Sequence, residues 1–198
     1  MVQLSIAAPQ TSPAIVAFGS NLGDGNNAPL DTLRDAAQCL MEKGVSFVNQ
    51  SKSYRTPAVP AGAGPDYVNA VAEIRTDLCA REFLALLHEV EADFGRVRDQ
   101  RWASRSLDLD LLSYDDVIVP DLATFNAWRA LDFRDQQQVS PTEMILPHPR
   151  IQDRAFVLVP LAEIAPDWRH PVLNQTAAEL CAALPAADRL AVVPLDPG

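Results

Sequence analysis

An α+β fold, with two helices laid on one face of an antiparallel sheet, is what this sequence predicts, on three observations. Apolar stretches of strand length occur at residues 15–18, 45–54, 67–74 and 107–111. Between them, two segments carry apolar residues at helical spacing and each is stopped by a glycine. They are Leu33, Ala36, Ala37, Leu40 and Met41 before Gly44, and Phe83, Leu86, Leu87, Val90 and Phe94 before Gly95. Strand, helix, strand, strand, helix, strand is the β-α-β-β-α-β ferredoxin-like order, which leaves the second face of the sheet open for ligands.

The first strand, residues 15–18, runs into Gly19-Ser20-Asn21-Leu22-Gly23-Asp24-Gly25, a run of turn formers. A glycine loop before a helix invites a phosphate-cradle reading. This one matches neither G-x-x-x-x-G-K-[ST] nor G-x-G-x-x-G, so a structural turn is preferred. Pro29 falls in the first turn of the helix that follows. After the strand at 45–54 come Arg55-Thr56-Pro57 and a loop of Pro, Ala and Gly to Pro65, expected to be mobile. The strand from Tyr67 alternates, placing Tyr67, Asn69 and Val71 on one face and Val68, Ala70 and Ala72 on the other. Tyr67 beside Asn69 can stack a flat heterocycle and bond its edge; a tyrosine simply packing on the sheet fits the spacing equally well.

Asp77 is a candidate cap for the second helix, and His88 with Glu91 reads as a solvated pair on its outer face. Residues 113–116 read as a turn and 117–119 as a returning hairpin strand. Residues 120–141 are too long for an ordinary connection and are expected to form a surface insertion of irregular or helical structure. Leu146-Pro147-His148-Pro149-Arg150 is a rigid turn, and 155–164 and 177–184 have helical character. His148, fixed between prolines near Arg150 and Arg154, is either structural or a phosphate contact.

At 198 residues, 48% apolar and 21% charged, the chain is expected to be one soluble domain over 13–198 behind a loose tail of 1–12. It has no apolar run long enough to span a bilayer, and the tail makes a poor signal peptide, so a cytoplasmic location is expected. Cys39, Cys79 and Cys181 are odd in number and far apart, as reduced core thiols would be. A net charge of −10 argues against a nucleic-acid partner.

The chemistry concentrates between Gly95 and Leu112. Leu107-Asp108-Leu109-Asp110-Leu111 buries three leucines on one face of a strand and presents two carboxylates on the other. At roughly 3.3 Å per residue the two aspartates stand about 6.5 Å apart. Such a pair can hold two Mg²⁺ ions about 3.5–4 Å apart across a phosphate chain. An acidic pair on a strand is more often a solvated face, but Asp is a poor strand former and needs a compensating cation. Arg96, Arg98, Arg101 and Arg105 supply it, placing four of the sixteen basic residues within ten positions. In an acidic protein such a strip focuses a small anion such as a nucleoside triphosphate.

The segments FGSNLGD, SYRTP, PDYVNA, GRVR, RWASRSLDLDLL, LPHPR and RAFVLVPL appear in this order from Ile15 to about Pro171. In them the chain resembles the 6-hydroxymethyl-7,8-dihydropterin pyrophosphokinase family of folate biosynthesis, whose fold is ferredoxin-like. The resemblance implies ATP as co-substrate, with Asp108 and Asp110 holding two Mg²⁺ ions. It places Arg96 and Arg98 on a loop closing over ATP, with Trp102 following, and gives Arg105 a catalytic as well as a phosphate-binding part. Leu111, His148 and Arg154 join Trp102 and Arg105 around ATP. Tyr67 and Phe156 sandwich the pterin, while Asn69 and the backbone from Thr56 to Val59 bond its edge. Asp99 and Gln100 make the loop more acidic than in relatives. The implied partners are ATP and the hydroxymethyl dihydropterin, with neither nucleic acid nor membrane; a monomer is expected, a dimer being the alternative. A noncatalytic ferredoxin-like binding module and a metal-dependent nucleotidyltransferase are the competing readings.

Overall fold

A computed structural model describes residues 11–22, 28–58, 64–95, 106–132, 135, 141 and 143–195. Strands are β1 (Ser12–Ser20), β2 (Ser46–Gln50), β3 (Tyr54–Thr56), β4 (Tyr67–Thr76), β5 (Asp108–Tyr114) and β6 (Val193–Pro194). Helices are α1 (Pro29–Glu42), α2 (Ala80–Asp93), α3 (Leu122–Ala130), α4 (Ala155–Ile164), α5 (Ala177–Ala183) and α6 (Ala186–Leu190), with a 3₁₀ turn at Ile151–Asp153. All strand pairs are antiparallel, in the order β5-β1-β4-β3-β6 with β2 also on β4. This is the ferredoxin-like arrangement expected.

Side-chain alternation sorts the sheet into two faces. Ala14, Val16 and Phe18 of β1, Ala70, Ala72 and Ile74 of β4, and Leu109 and Leu111 of β5 pack on Leu33, Leu40, Phe83 and Leu87 of α1 and α2. Met41 is exposed, because it falls at the rim of the α1 stripe. On the second face, Ile15, Ala17, Val71 and Leu112 meet Val157, Leu158 and Leu161 of α4 and Ala177 and Leu180 of α5. Among the described residues α4 and α5 therefore cover the middle of the second face, leaving its Gly19 end and, beside Pro13, Glu73, Ser113 and Trp168, a cavity at the other end of β1. The sequence of α4, AFVLVPLAEI, is apolar on nearly every side, so it needs a sheet to cover it.

Several local expectations are corrected. The strand foreseen at 45–54 is split. Ser51 is buried at the break, where its Oγ accepts from the Val71 N–H at 3.0 Å and donates to the Lys52 carbonyl at 2.7 Å. Gly19 and Ser20 belong to β1 rather than to a loop, and β5 runs on through Tyr114. The turn lies at Asp115, with φ 42°, and Val119 bridges Leu146 instead of forming a hairpin. Helix α2 starts after Cys79, not Asp77; the Cys79 N–H donates to Glu82 Oε2 at 2.9 Å. Cys79 is exposed at that cap, so only Cys39 and Cys181, both half-buried, approach the core.

Within 120–141 the described part is α3, capped by Asp121 accepting from the Thr124 N–H at 2.8 Å. Its Phe125 is completely buried, with its ring 5.8 Å from that of His170, and Arg150 donates to the Arg129 and Leu131 carbonyls at its end, so α3 is held by both packing and hydrogen bonds. No helix among the described residues is long and apolar enough to cross a membrane.

Candidate active site

Strand β5 is the edge of the sheet and carries the two carboxylates. Leu107, Leu109 and Leu111 are buried against the helices, and Asp108 and Asp110, half-buried, turn to the second face as the alternation requires. Their strand is pinned from behind by Glu91 of α2, which is 1% exposed and whose Oε1 accepts from the Leu109 N–H at 2.8 Å. The reading of His88 and Glu91 as a solvated pair is thereby corrected, since Glu91 supplies an acceptor to an edge strand. Its position four residues after Leu87, within the apolar stripe, is the signal that could have revealed it.

Arg154 caps α4 and donates to Asp110 Oδ2 at 2.8 Å, while its guanidinium lies 5.6 Å from the centre of the Phe156 ring. Phe156 is 37% exposed, an aromatic face held at the open end of the sheet. The His148 N–H donates to the Leu112 carbonyl at 2.7 Å, and its Nδ1 accepts from the Arg150 N–H at 3.1 Å. That acceptor role places the ring proton on Nε2. Burial first, and the neighbouring Arg154 cation second, push His148 down to about 4, so it is a neutral donor near pH 7.

Asn69 and Thr56 lie on the same face as the aspartates. Asn69 is buried and its Nδ2 donates to Thr56 Oγ1 at 2.7 Å; Tyr67, paired with Thr56 in the ladder, is half-buried beside them. Gly19 separates the two groups, opposite Asn69 on one side and Asp108 on the other. A Cβ built there would come within 3.2 Å of Asn69 Oδ1 and 3.8 Å of Asp108 Cβ. The floor between amide and carboxylate is thus bare backbone, a feature hidden while Gly19 is read as part of a turn.

Leu111 is 5% exposed in the core behind the sheet, so its side chain cannot meet a nucleotide and only its backbone is available. Val59, Arg96, Arg98, Arg101, Trp102 and Arg105 lie outside the described residues. No group of three or more metal-type side chains occurs among the described residues. Two hard carboxylates nevertheless suit Mg²⁺, which keeps several waters and completes its shell with substrate phosphates.

A comparison with family models decides the relationship: the 7,8-dihydro-6-hydroxymethylpterin-pyrophosphokinase model matches residues 15–166. The chain belongs to that family. A Synechocystis sp. 2-amino-4-hydroxy-6-hydroxymethyldihydropteridine pyrophosphokinase is 35% identical over 190 residues, covering 96% of this chain and 83% of the relative. The Methylorubrum extorquens protein of the same name is 36% identical over 155 residues, covering 78% and 83%. Among solved structures, wild-type Plasmodium falciparum HPPK-DHPS with pteroate superposes with a TM-score of 0.62 at 15% identity, over 87% of this chain. This chain spans 44% of that longer protein, and the likeness bears on the fold alone.

Proposed function

We propose that this chain transfers pyrophosphate from ATP to the hydroxymethyl group of 6-hydroxymethyl-7,8-dihydropterin and releases AMP, a step of folate biosynthesis. The observation that carries the reading is Gly19, set between the buried Asn69–Thr56 pair and Asp108. A flat heterocycle read at its edge by Asn69 can lie over this bare backbone with its substituent directed at the carboxylates. Two strand spacings, about 9.5 Å, separate the strands that hold the two groups.

The residues then divide the work. Asn69 and Thr56 fix the ring's edge, Tyr67 and Phe156 cover its faces, and Arg154 and His148 offer donors to phosphate oxygens. Arg96, Arg98 and Arg105, with Trp102, are assigned by family resemblance to the loop over ATP, as is Val59 to the pterin edge. Asp108 and Asp110 would hold the two Mg²⁺ ions, which neutralise phosphate charge when bound. In the transfer, the substrate hydroxyl oxygen forms a bond to the β-phosphorus, the bond from that phosphorus to the bridging α-phosphate oxygen breaks, and the hydroxyl proton is lost. AMP keeps the bridging oxygen. Such a transfer asks for positioning and charge neutralisation more than for a strong base, so this chain's donors and carboxylates can suffice. Residues 13–198 would act as one domain, in the cytoplasm and as a monomer.

Incubation with ATP, Mg²⁺ and the hydroxymethyl dihydropterin tests the proposal. AMP should accumulate in proportion to pterin consumed. Release of inorganic pyrophosphate instead would identify a nucleotidyltransferase, and binding without turnover a noncatalytic module.

A further inference from the structure

Resting on the pterin site proposed above, a further inference concerns what keeps that site at its working width. Phe156 and Arg154 stand at the first turn of α4, whereas Thr56 and Asn69 belong to β3 and β4. The opposite end of α4 is fastened to β3 and its approach. Glu163 Oε2 accepts from the Lys52 N–H at 3.0 Å and from the Tyr54 hydroxyl at 2.9 Å. Its Oε1 pairs with Lys52 Nζ at 3.4 Å, and the next carbonyl, of Ile164, accepts from Asn49 Nδ2 at 3.1 Å. Tyr54 is 7% exposed, pairs with Asn69 in the ladder and lies two residues before Thr56.

Apolar packing alone would hold α4 against the sheet without fixing its position along it, because burial is not directional. Hydrogen bonds at the two ends supply that direction. At the Arg154 end the bond goes to Asp110, and both groups are ones that ATP and its metal ions would engage. At the Glu163 end neither partner is needed by a substrate. Burial, and then the bond to Glu163, push the Tyr54 phenol up to about 12, so its donor proton stays in place throughout the working pH range.

We propose that the Tyr54–Glu163 pair is the positioning clamp of pterin recognition. It locks β3 to α4, so that Thr56 and Asn69 stay at the ring's edge while Phe156 stays over its face. Neither residue touches substrate. Over the length of α4, about 13 Å from first residue to last, a small pivot at Glu163 becomes a displacement of Phe156. The clamp matters most once ATP has drawn Arg154 away from Asp110, for the helix is then held directionally at one end only.

The test is equilibrium titration of the hydroxymethyl dihydropterin, with Mg²⁺ and a nonhydrolysable ATP analogue present, into wild type, Tyr54→Phe, Glu163→Ala and Glu163→Gln. Tyr54→Phe should raise the pterin Kd about five- to tenfold, the loss of one half-buried hydrogen bond, and Glu163→Ala, which also removes the bond from the Lys52 N–H and the Lys52 ion pair, by at least as much. The Kd of the ATP analogue should stay within about twofold, and Glu163→Gln, whose carbonyl can still accept from Tyr54, should return pterin affinity to near wild type. Tyr54→Phe keeps the ring and its packing, so it gives the answer even if Glu163→Ala fails to fold. Unchanged pterin affinity in folded Tyr54→Phe, or equal weakening of both ligands, would overturn the clamp while leaving the site intact. Wild type that binds no pterin would remove the site reading and the clamp together.

Discussion

Arg154 donates to Asp110 across 2.8 Å, with the two side chains 30% and 32% exposed, and so joins the start of α4 to the acidic face of β5. A partly solvated pair of this kind contributes about 0.2–1 kcal/mol. Its location suggests a larger part in binding. Arg154→Ala should therefore lower the unfolding free energy by less than about 1 kcal/mol while weakening ATP by roughly tenfold, as expected for one lost charge-assisted contact. Urea denaturation and ATP titration measure the two quantities, and a large stability loss with unchanged ATP affinity would make the pair purely structural.

If Asp108 and Asp110 hold Mg²⁺ as proposed, Asp108→Asn and Asp110→Asn should each cut turnover by a factor on the order of 100 or more, because each would remove an anionic metal ligand. Both carboxylates are partly solvated, so the far-ultraviolet circular dichroism of the variants should match wild type. Near-wild-type turnover at saturating Mg²⁺ in either variant would refute the ligand assignment.

Phe156 is exposed at the open end of the sheet and contributes little to the core. Replacing it with alanine should weaken pterin binding by about 1–3 kcal/mol, the usual worth of an aromatic stacking face, and leave ATP affinity nearly unchanged. Titration with each ligand separates this outcome from a general loosening, in which both affinities fall.

His170 gives a pH dependence remote from the acidic strand. It is completely buried between the rings of Phe125 and Trp168, at 5.8 and 5.7 Å, and its Nδ1 accepts from the Val172 and Leu173 N–H groups, each at 3.2 Å. Burial is the main cause that holds it down at about 4, below its ordinary 6.5. Between those values the unfolded chain takes up a proton that the folded chain refuses. Its contribution is therefore complete above 6.5 and declines as pH falls toward 4, by up to about 1.4 kcal/mol per pH unit. Urea denaturation at pH 7, 6 and 5 should show a steeper loss in wild type than in His170→Asn, and equal slopes would contradict the assignment.

What was legible in the sequence was what a local period can carry. The alternation from Leu107 to Leu111 and from Tyr67 to Ala72 placed the aspartates, Tyr67 and Asn69 on the correct face, since side-chain direction in a strand follows from the backbone. Residues whose role depends on a distant partner were not legible. Glu91 is buried because it bonds the Leu109 amide of an edge strand, and Val119 pairs with Leu146 rather than with its neighbour β5. Gly19 resembled a turn glycine because its meaning lies in the strands on either side. The apolar run of α4 was recognised as a helix, but the sheet face it covers is set by Ile15, Ala17 and Val71, far away in the chain.

Label transfer tests the central claim most directly. Wild-type protein, Mg²⁺ and the hydroxymethyl dihydropterin are incubated with ATP carrying ³²P at either the α or the β position, and the products are separated. The account predicts that β-label moves to the pterin, that α-label stays in AMP, and that Asp110→Asn suppresses β-label transfer and AMP release together. Appearance of α-label on the pterin, or of β-label only in inorganic pyrophosphate, would contradict it.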